Sequence, residues 1–529
     1  MTTTGERLAQ LLDAYGIEII SGIPGTHTIE LYRGLPATNI RHITPRHEQG
    51  AGFLADGYAR VTGRPAACIT VSGPGALNIV TAMGQALADS IPMLVISADN
   101  KTYHKGLGEG RLHEIPDLQA VMSQCSRWCH TLARADELPG VMARAFAIFN
   151  SERPGPVHLT LPLDVITADA SHVSTDVWAI PQPPAPHPDS IAAAVTMLQK
   201  AQTPVIALGG GAADSGEWAI KLAEKLDAPV TTTHHAKGIV AADHPLHIGG
   251  SPTQSAIQQL YADADVVLAI GTELGETDYD FFFKENTSMS KGLIRIDIDP
   301  RQFSRNEQPA LCILADATLA MQALDCSITQ SPSRDGAGRA ATVRAAVSAE
   351  FNQDYQKFYT TLQQALPDLI LVGDSTQPAY FAAPQYNSSG PRSFFAAGTG
   401  FGTLGIALPA AFGAKLGQPH RPVVAMIGDG GLQFTINELS TAVEARISVA
   451  IIVWNNQCYA EIARNFRDAG MEPIACNIHT PDFPGIAKAY GCQAVRVENH
   501  AELSAALIEA QKHDVPTLIE VPQDKFVSA

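Results

Sequence analysis

Short runs of apolar and β-branched residues alternate with longer amphipathic stretches along the whole chain. The short runs are typical of buried strands, and stretches with apolar residues three and four positions apart are typical of helices. This alternation favours parallel sheets covered by helices on both faces. The strands are predicted at residues 17–23, 67–72, 93–98, 204–209, 266–271, 293–298, 369–372, 423–427, 449–454 and 517–521.

Two breaks in composition divide the chain. Residues 180–188 (IPQPPAPHP) form a proline-rich segment that continues neither a helix nor a sheet. Residues 327–339 (SITQSPSRDGAGR) are polar and contain glycine, which is typical of a second connection. We therefore predict three domains, at 1–180, 189–326 and 340–529. Because crossovers between parallel strands are right-handed, each domain is expected to be an α/β fold with a doubly wound parallel sheet.

Composition excludes several classes of function. The 529 residues carry a formal charge of −17, which argues against a nucleic-acid partner because such binding needs a basic face. No basic and apolar leader is evident and no apolar run approaches about 18 residues, so we expect no signal peptide and no membrane partner. The 8 cysteines are scattered without CxxC pairs, which favours reduced thiols and a cytoplasmic location.

Polar residues follow two of the predicted strands in the last third of the chain. Gly428-Asp429-Gly430 ends one strand, and Asn455-Asn456 ends another after an interval of 24 residues. The carboxyl ends of parallel strands meet at one edge of a sheet, where α/β folds bind ligands. A carboxylate and an amide at this edge suit a Mg²⁺ ion that takes its other ligands from a phosphate group.

Further motifs make the chain resemble a known family. The sequence carries RHE at 46–48, ADGYAR at 55–60, SGPGALN at 72–78 and GTGFGTLG at 398–405. Together with the metal motif, they resemble thiamine-diphosphate (ThDP)-dependent enzymes of the acetolactate synthase and 2-oxo acid decarboxylase group. The resemblance covers nearly the whole chain and implies a pyrimidine-binding domain, a central domain and a diphosphate-binding domain, in that order.

The resemblance implies a role for each motif. Glu48 would hydrogen-bond N1′ of the aminopyrimidine and favour the imino tautomer, whose 4′-nitrogen removes the proton from C2 of the thiazolium. Leu404 would wedge under the cofactor and bend it. Asp429, Asn456 and the carbonyl of Cys458 would bind Mg²⁺. The other residues implied to contact ThDP are Gly25, Asn78, Ser375, Thr376, Gln377, Gly402, Gly428, Gly430 and Gly431.

The resemblance also implies an oligomer. In this family ThDP lies between the first domain of one subunit and the third domain of another. Glu48 and Asp429 would then meet only across a subunit interface, so the expected minimum is a homodimer, with a homotetramer as the expected assembly.

The chain departs from acetolactate synthases at two places. Where those enzymes carry Phe-Gln-Glu in the loop that contacts substrate, this chain has Leu112-His113-Glu114. The flavin-contacting stretches are not recognisable in the central domain, where residues 271–278 (GTELGETD) are acidic and contain no arginine. We therefore expect ThDP and Mg²⁺ as cofactors and no FAD.

Two histidines are candidate acid–base groups. His27 follows Gly25 and Thr26 in a turn that carries polar active-site residues in simple decarboxylases and benzaldehyde-lyase-type enzymes. We expect Thr26 to contact the substrate. A 2-oxo acid decarboxylase must add one proton and remove another before releasing an aldehyde, and imidazoles such as His27 and His113 suit both steps near neutral pH.

Two acidic residues indicate a cationic substrate. Glu461 stands where acetolactate synthases have an apolar residue, and Glu109 lies on the loop of His113. A carboxylate there could bind a guanidinium group. The chain therefore resembles most the bacterial decarboxylases of 5-guanidino-2-oxopentanoate (2-ketoarginine), which act in arginine catabolism. Two alternatives stay open: a carboligase of the acetolactate synthase or benzaldehyde lyase type, and a catalytically inactive subunit, against which the intact Glu48, Asp429 and Asn456 argue.

Overall fold

Three parallel sheets, one in each third of the chain, organise the fold. The computed structural model describes residues 2–280, 289, 292–397 and 400–528. Every pairing between the described strands is parallel, and helices cover the sheets. The predicted fold class is therefore confirmed. Gly398 and Thr399, which begin the predicted glycine-rich turn, lie outside the described residues.

The N-terminal sheet has the strand order β2-β1-β3-β4-β6-β5. Its strands and helices have these bounds: β1 Ile19–Gly22, β2 Arg41–Ile43, β3 Ala66–Thr70, β4 Met93–Asp99, β5 Trp128–Thr131, β6 Pro156–Pro162, and α1 Thr4–Ala14, α2 Ile29–Arg33, α3 Glu48–Thr62, α4 Pro74–Ala88, α5 Leu118–Ser123, α6 Leu138–Ser151, α7 Leu163–Ile166.

The central sheet has the order β11-β10-β9-β7-β8. Helix α13 follows the polar connection and packs with this sheet, because Ala340 and Val347 share an apolar core with Val205 and Ile257. The elements are β7 Val205–Leu208, β8 Val230–Thr232, β9 Val267–Ile270, β10 Leu293–Asp297, β11 Leu311–Leu314, and α8 Pro188–Lys200, α9 Gly216–Leu226, α10 Ser255–Asp263, α11 Glu276–Tyr279, α12 Ala317–Ser327, α13 Gly336–Ala349.

The C-terminal sheet has the order β13-β12-β14-β15-β17-β16, which repeats the pattern of the N-terminal sheet. Its elements are β12 Ile370–Gly373, β13 Phe394–Ala396, β14 Val423–Gly428, β15 Ala450–Asn455, β16 Gln493–Arg496, β17 Thr517–Pro522, and α14 Gln353–Ala365, α15 Gln377–Gln385, α16 Ala407–Gly417, α17 Asp429–Thr435, α18 Leu439–Ala445, α19 Ala460–Asp468, α20 Phe483–Ala489, α21 His500–Ala510.

Each strand predicted from the sequence is present, with bounds that differ by about two residues. The predictions missed short strands at sheet edges, such as β2 and β16, whose residues are partly exposed and polar. They also missed β6, although all of its residues are buried. In β6, the polar residues His158 and Thr160 interrupt the apolar run. The spacing of apolar residues alone therefore does not distinguish this strand from the surrounding helices.

Helices α3 and α16 cross closely and join the two outer domains within one chain. A Cβ on Gly57 would overlap the carbonyl of Ala410, and a Cβ on Gly413 would overlap the carbonyl of Leu54. Glycine is needed at both positions because the two backbones touch. Since α3 begins at Glu48 and α16 follows the glycine-rich turn, the crossing fixes both motifs on one rigid core. No helix in the described part of the chain has the length and apolar character needed to cross a bilayer.

Candidate functional site

Glu48 lies at the carboxyl edge of the N-terminal sheet as the first residue of α3. Its Oε2 accepts a hydrogen bond of 2.9 Å from Nδ2 of Asn78, which lies in the first turns of α4. A Cβ on Gly75 would stand 3.2 Å from Oε1 of Glu48, so the turn before α4 leaves little room beside the carboxylate. The structure therefore brings together Glu48 and Asn78, both of which were predicted from the motifs.

His27 and His113 are in contact at the same sheet edge. Their ring centroids are 5.0 Å apart and the rings meet edge to face. His27 is buried, and burial together with the neighbouring His113 lowers its pKa, whereas Asp99 opposes this shift. Nδ1 of each ring is buried without a hydrogen-bond partner among the described residues. Imidazoles in contact with one another can accept and return protons.

The turn before His27 has a fixed conformation. Oγ1 of Thr28 accepts a 2.9 Å hydrogen bond from the Gly25 N–H and donates to the Gly25 carbonyl. A Cβ on Gly25 would stand 2.6 Å from Cγ1 of Val71, so the turn packs against the loop after β3. Thr26 is exposed beside the buried His27, where a ligand can reach its side chain.

The sequence predictions missed the role of Asp374, a fully buried carboxylate at the end of β12. It accepts backbone N–H groups of Ser375 at 2.9 Å, Gly405 at 3.1 Å and Ala407 at 3.0 Å. Burial raises the pKa of Asp374 to about 6, against the effect of these three hydrogen bonds. Asp374 therefore ties the predicted phosphate contact to the glycine-rich turn. The only feature of the sequence that pointed to a role for Asp374 was its position directly before Ser375.

The predicted cofactor loops of the C-terminal domain also contact one another. Oγ of Ser375 donates to the Gly402 carbonyl at 3.2 Å. A Cβ on Gly428 would stand 3.0 Å from Oγ1 of Thr376, and one on Gly431 would stand 2.8 Å from Oδ1 of Asp374. Glycine is therefore needed at both positions, because the two loops approach each other closely. The backbone amides of these glycines lie at the sheet edge.

The glycine-rich turn reaches the N-terminal domain of the same chain. The N–H of Thr403 donates to Oε1 of Gln85 in α4 at 3.2 Å. Leu404 follows and is partly buried. Oγ1 of Thr403 and Oε1 of Gln377 are buried without hydrogen-bond partners among the described residues. Orphaned polar atoms of this kind are typical of a site that a polar ligand completes.

Asp429 is a buried carboxylate between two loops. Oδ1 accepts the Gly430 N–H at 2.9 Å, and Oδ2 accepts the Gln457 N–H at 2.6 Å. Burial raises the pKa of Asp429, and no basic side chain in the described part of the chain pairs with it. Such an uncompensated carboxylate fits a divalent cation.

The other two predicted metal ligands lie in the loop after β15. Oδ1 of Asn456 accepts the Cys458 N–H at 3.1 Å, and its Nδ2 donates to Gln523 at 2.9 Å. Gln457 between them has a positive φ of 56°, which turns the loop around the Asp429 carboxylate. The donor set of one carboxylate, one amide and one carbonyl consists of hard oxygens, as Mg²⁺ prefers. Beside it, a depression of about 350 Å³ opens between Gly430 and Tyr459.

The two acidic residues predicted to bind a cation have local partners. Glu461 lies in the first turn of α19 and forms an ion pair with Arg464. Burial is the main cause of the raised pKa of Tyr380, and the charge of Glu461 raises it further. Since Tyr380 also bonds Ser375, Glu461 lies near the Ser375 loop. Glu109 is exposed and pairs with Arg111 at 2.8 Å. Glu461 is therefore better placed than Glu109 to meet a ligand at the C-terminal sheet edge.

No hydrogen bond between described residues joins Glu48 to the loops of Asp429 and Asn456; the one side-chain partner of the Glu48 carboxylate is Asn78. Within one chain, Glu48 and Asp429 lie at two different sheets, and the segment after α17 contacts the start of α3 because Glu438 accepts the Arg46 N–H.

A cavity of about 370 Å³ lies at the carboxyl edge of the central sheet, between all three domains. This is where doubly wound folds bind nucleotides through backbone amides of a glycine turn. Here the Gly211 N–H already donates to the Gly271 carbonyl at 3.0 Å. Carboxylates of Glu273, Asp278 and Asp297 line the cavity. The bonded Gly211 amide opposes binding of a diphosphate, and the three arginines that also line the cavity, Arg60, Arg153 and Arg392, each already pair with a carboxylate.

Comparison with known proteins assigns each third of the chain. Residues 2–121 match the N-terminal TPP binding domain of thiamine pyrophosphate enzymes, residues 191–324 match their central domain, and residues 374–521 match their C-terminal TPP binding domain. The matched segments contain most strands of the three sheets and all of the candidate residues.

Curated relatives are similar over the full length. The chain is 41% identical to the probable 2-ketoarginine decarboxylase AruI of Pseudomonas aeruginosa, covering 98% of this chain and 94% of the relative. It is 31% identical to the acetolactate synthase isozyme 1 large subunit of Escherichia coli, covering 99% and 94%. It is also 31% identical to the probable acetolactate synthase large subunit of Methanococcus aeolicus, covering 98% and 92%.

Proposed function

The chain belongs to the family of thiamine pyrophosphate enzymes, and on this premise we propose that it converts 5-guanidino-2-oxopentanoate to 4-guanidinobutanal and CO₂. The family predicted from the motifs is thereby confirmed. The observation that carries the decarboxylase proposal is the contact between His27 and His113 at the sheet edge of Glu48, where neither Nδ1 has a hydrogen-bond partner among the described residues.

Bound ThDP supplies a nucleophilic carbon that adds to the 2-oxo group and accepts the electron pair left by the departing CO₂. The side chains of this protein then have separate tasks. Glu48 hydrogen-bonds the aminopyrimidine and holds a proton there, while Asn78 fixes the orientation of its carboxylate. Asp429, Asn456 and the Cys458 carbonyl would hold Mg²⁺, which would neutralise the charge of the diphosphate. The amides of Gly430 and Gly431 add hydrogen bonds to the phosphate oxygens.

His27 and His113 move protons at the reacting carbon. After CO₂ leaves, a proton must be added to that carbon, and a hydroxyl must then lose its proton so that the aldehyde can leave. The lowered pKa of His27 keeps its ring neutral near pH 7, so it suits the step that removes a proton. His113, in edge contact with it, is placed to exchange protons at the same position.

Glu461 selects the cationic end of the substrate. Its carboxylate already binds one guanidinium, that of Arg464, which demonstrates the chemistry required. An ion pair this exposed is weak, so a substrate guanidinium can replace Arg464 at little cost. The similarity to a protein named as a probable 2-ketoarginine decarboxylase supports this substrate.

The active unit is a homodimer at minimum, and we expect a homotetramer. The similarity to relatives named as large subunits of acetolactate synthases supports an oligomeric assembly. The alternative function is a carboligase that passes the same reactive carbon to a second carbonyl, as in acetolactate synthases. The 31% identity to such enzymes favours this alternative over other family reactions.

The central domain is proposed to bind no FAD. The internally bonded Gly211 amide and the acidic cavity support this proposal. Purified protein should therefore lack absorption near 450 nm and release no flavin on denaturation. A stoichiometric yellow cofactor would favour the carboligase alternative.

Cofactor reconstitution tests the proposed reaction. The protein is dialysed against EDTA and then supplied with ThDP, with Mg²⁺, with both or with neither. CO₂ release from 5-guanidino-2-oxopentanoate should require both additions. Release without ThDP, or no release with both, would refute the proposed reaction.

A further inference from the structure

An ion pair joins the buried carboxylate of Asp99, at the end of β4, to the exposed Lys105 in the loop that carries His113. Asp99, the last residue of β4, is 3% exposed, and Nζ of Lys105 lies 2.8 Å from its Oδ2. Oδ1 of the same carboxylate accepts hydrogen bonds from Oγ of Ser72 at 3.2 Å and from the Asn100 N–H at 2.8 Å. Lys105 is the cation that compensates this buried charge, so losing it would leave the carboxylate unpaired.

The middle of the 101–114 loop makes few contacts of its own. Gly106, Gly108 and Gly110 have positive φ angles of 76°, 65° and 70°. A Cβ added to any of the three would meet no atom within 4 Å. The Arg111–Glu109 pair lies within the loop and ties it to nothing else. The position of the loop must therefore be set near its two ends.

The second attachment holds His113 directly. Nδ2 of Asn100 donates to the Leu112 carbonyl at 3.2 Å. His113 has a positive φ of 55°, and its carbonyl lies where a Cβ on Gly73 would be only 2.8 Å away. Asp99 therefore holds the loop through Lys105 and Asn100 holds it through Leu112, while near the start of the loop the N–H and hydroxyl of Thr102 also donate to Asp164.

We propose that Asp99 and Lys105 are positioning residues, which hold the 101–114 loop closed over His27 and so keep His113 in contact with it. Neither side chain needs to touch the substrate. The expected effect on catalysis rests on the proposed function of the two histidines. The attachment of the loop through Asp99 and Lys105 does not depend on that function.

The test uses the ThDP- and Mg²⁺-loaded protein in four single variants and one double variant. Lys105→Met removes the cation and Asp99→Asn removes the anion. Lys105→Arg keeps the charge and serves as the rescue. Lys101→Met is the matched control, because Lys101 lies on the same loop, is exposed and places its ammonium group over the ring of Tyr103. The double variant Asp99→Asn/Lys105→Met leaves no unpaired charge at the buried position of Asp99. It should therefore fold even if Lys105→Met does not.

Two measurements are made by mass spectrometry: hydrogen exchange of peptides that cover residues 101–114, and the rate at which diethyl pyrocarbonate modifies His27 and His113. Both rates should rise roughly tenfold in Lys105→Met, Asp99→Asn and the double variant, as expected from losing one charge-assisted hydrogen bond. Lys105→Arg and Lys101→Met should match wild type. Where 2-oxo acid decarboxylation is detected, kcat should fall by a similar factor in the first three, with little change in KM.

Unchanged exchange and unchanged histidine modification in folded Lys105→Met or in the double variant would overturn the proposal. Equal effects in Lys101→Met would also overturn it, because the loop would then respond to any substitution. If the protein decarboxylates no 2-oxo acid, the proposed function fails, but the exchange and modification rates still decide whether the ion pair holds the loop.

Discussion

Asn78 donates a hydrogen bond of 2.9 Å to the carboxylate of Glu48. The two residues lie near the starts of different helices, α3 and α4, which follow β2 and β3, the strands on either side of β1. A carboxylate must keep one orientation to share a proton with a ligand, and the amide of Asn78 restricts its rotation. Glu48 is therefore held in place before any cofactor binds.

Replacing Glu48 by Gln should stop activation of ThDP without preventing its binding. The amide keeps the size of the side chain but cannot share a proton with the aminopyrimidine, so C2–H exchange should slow by about 10²–10⁴-fold. Asn78→Ala keeps the carboxylate and loses one hydrogen bond to it, so exchange should slow by about tenfold. Proton exchange at C2 is followed by NMR in acid-quenched samples. Wild-type exchange in the Gln variant would remove Glu48 from the mechanism.

Asp429→Ala should abolish Mg²⁺-assisted ThDP binding. The variant removes the carboxylate that connects the Gly430 and Gln457 loops, so the diphosphate loses both a metal ligand and an ordered site. Binding is measured by quenching of intrinsic fluorescence with and without EDTA. Asp524→Ala, at an exposed position near the C-terminus, is the control. The metal assignment is wrong if Asp429→Ala retains ThDP as tightly as wild type.

The stability of the cofactor-free protein should depend on pH through Asp374. Its pKa is about 6 in the folded protein, against 3.8 as the ordinary value. Between these values the folded state binds more protons than the unfolded state, so stability falls as pH rises from about 4 to about 6. The advantage in Tm of wild type over Asp374→Asn should therefore shrink across this range. An advantage that grows with pH would contradict the raised pKa.

Glu461→Gln should harm cationic substrates selectively. The loss of one partly exposed charge pair should lower kcat/KM for 5-guanidino-2-oxopentanoate by about two- to fivefold. A neutral 2-oxo acid of similar length should lose little. Asp468→Asn, at the far end of α19, removes a charge from the same helix and should change neither value. Equal losses for both substrates would exclude Glu461 as the specificity residue.

Sequence patterns predicted the sheets because their buried strands are short, nearly continuous apolar runs. They also identified Glu48, Asp429 and the loops at the sheet edges, because these motifs directly follow strands or begin helices. The relation of His27 to His113 could not be derived from periodicity, since 86 positions separate them and only the sheet order brings them together.

Buried polar partners were the main features that the sequence did not reveal. Asp99 and Asp374 each end a strand and look like ordinary turn residues. Their importance depends on which backbone and side-chain groups the folded loops present to them. Glu438 is similar: it is buried, its pKa is raised by burial, and it accepts the Arg46 N–H just before Glu48. Long-range partners of this kind follow from the tertiary structure and leave no local pattern.

Product analysis distinguishes decarboxylation of the guanidino acid from carboligation. The enzyme with ThDP and Mg²⁺ is incubated with 5-guanidino-2-oxopentanoate, with pyruvate, and with both, and the products are identified by NMR while CO₂ is measured. We expect 4-guanidinobutanal and CO₂ in equal amounts from the guanidino acid, with little turnover of pyruvate. Acetolactate or a mixed carboligation product as the main product, or a preference for pyruvate, would contradict it.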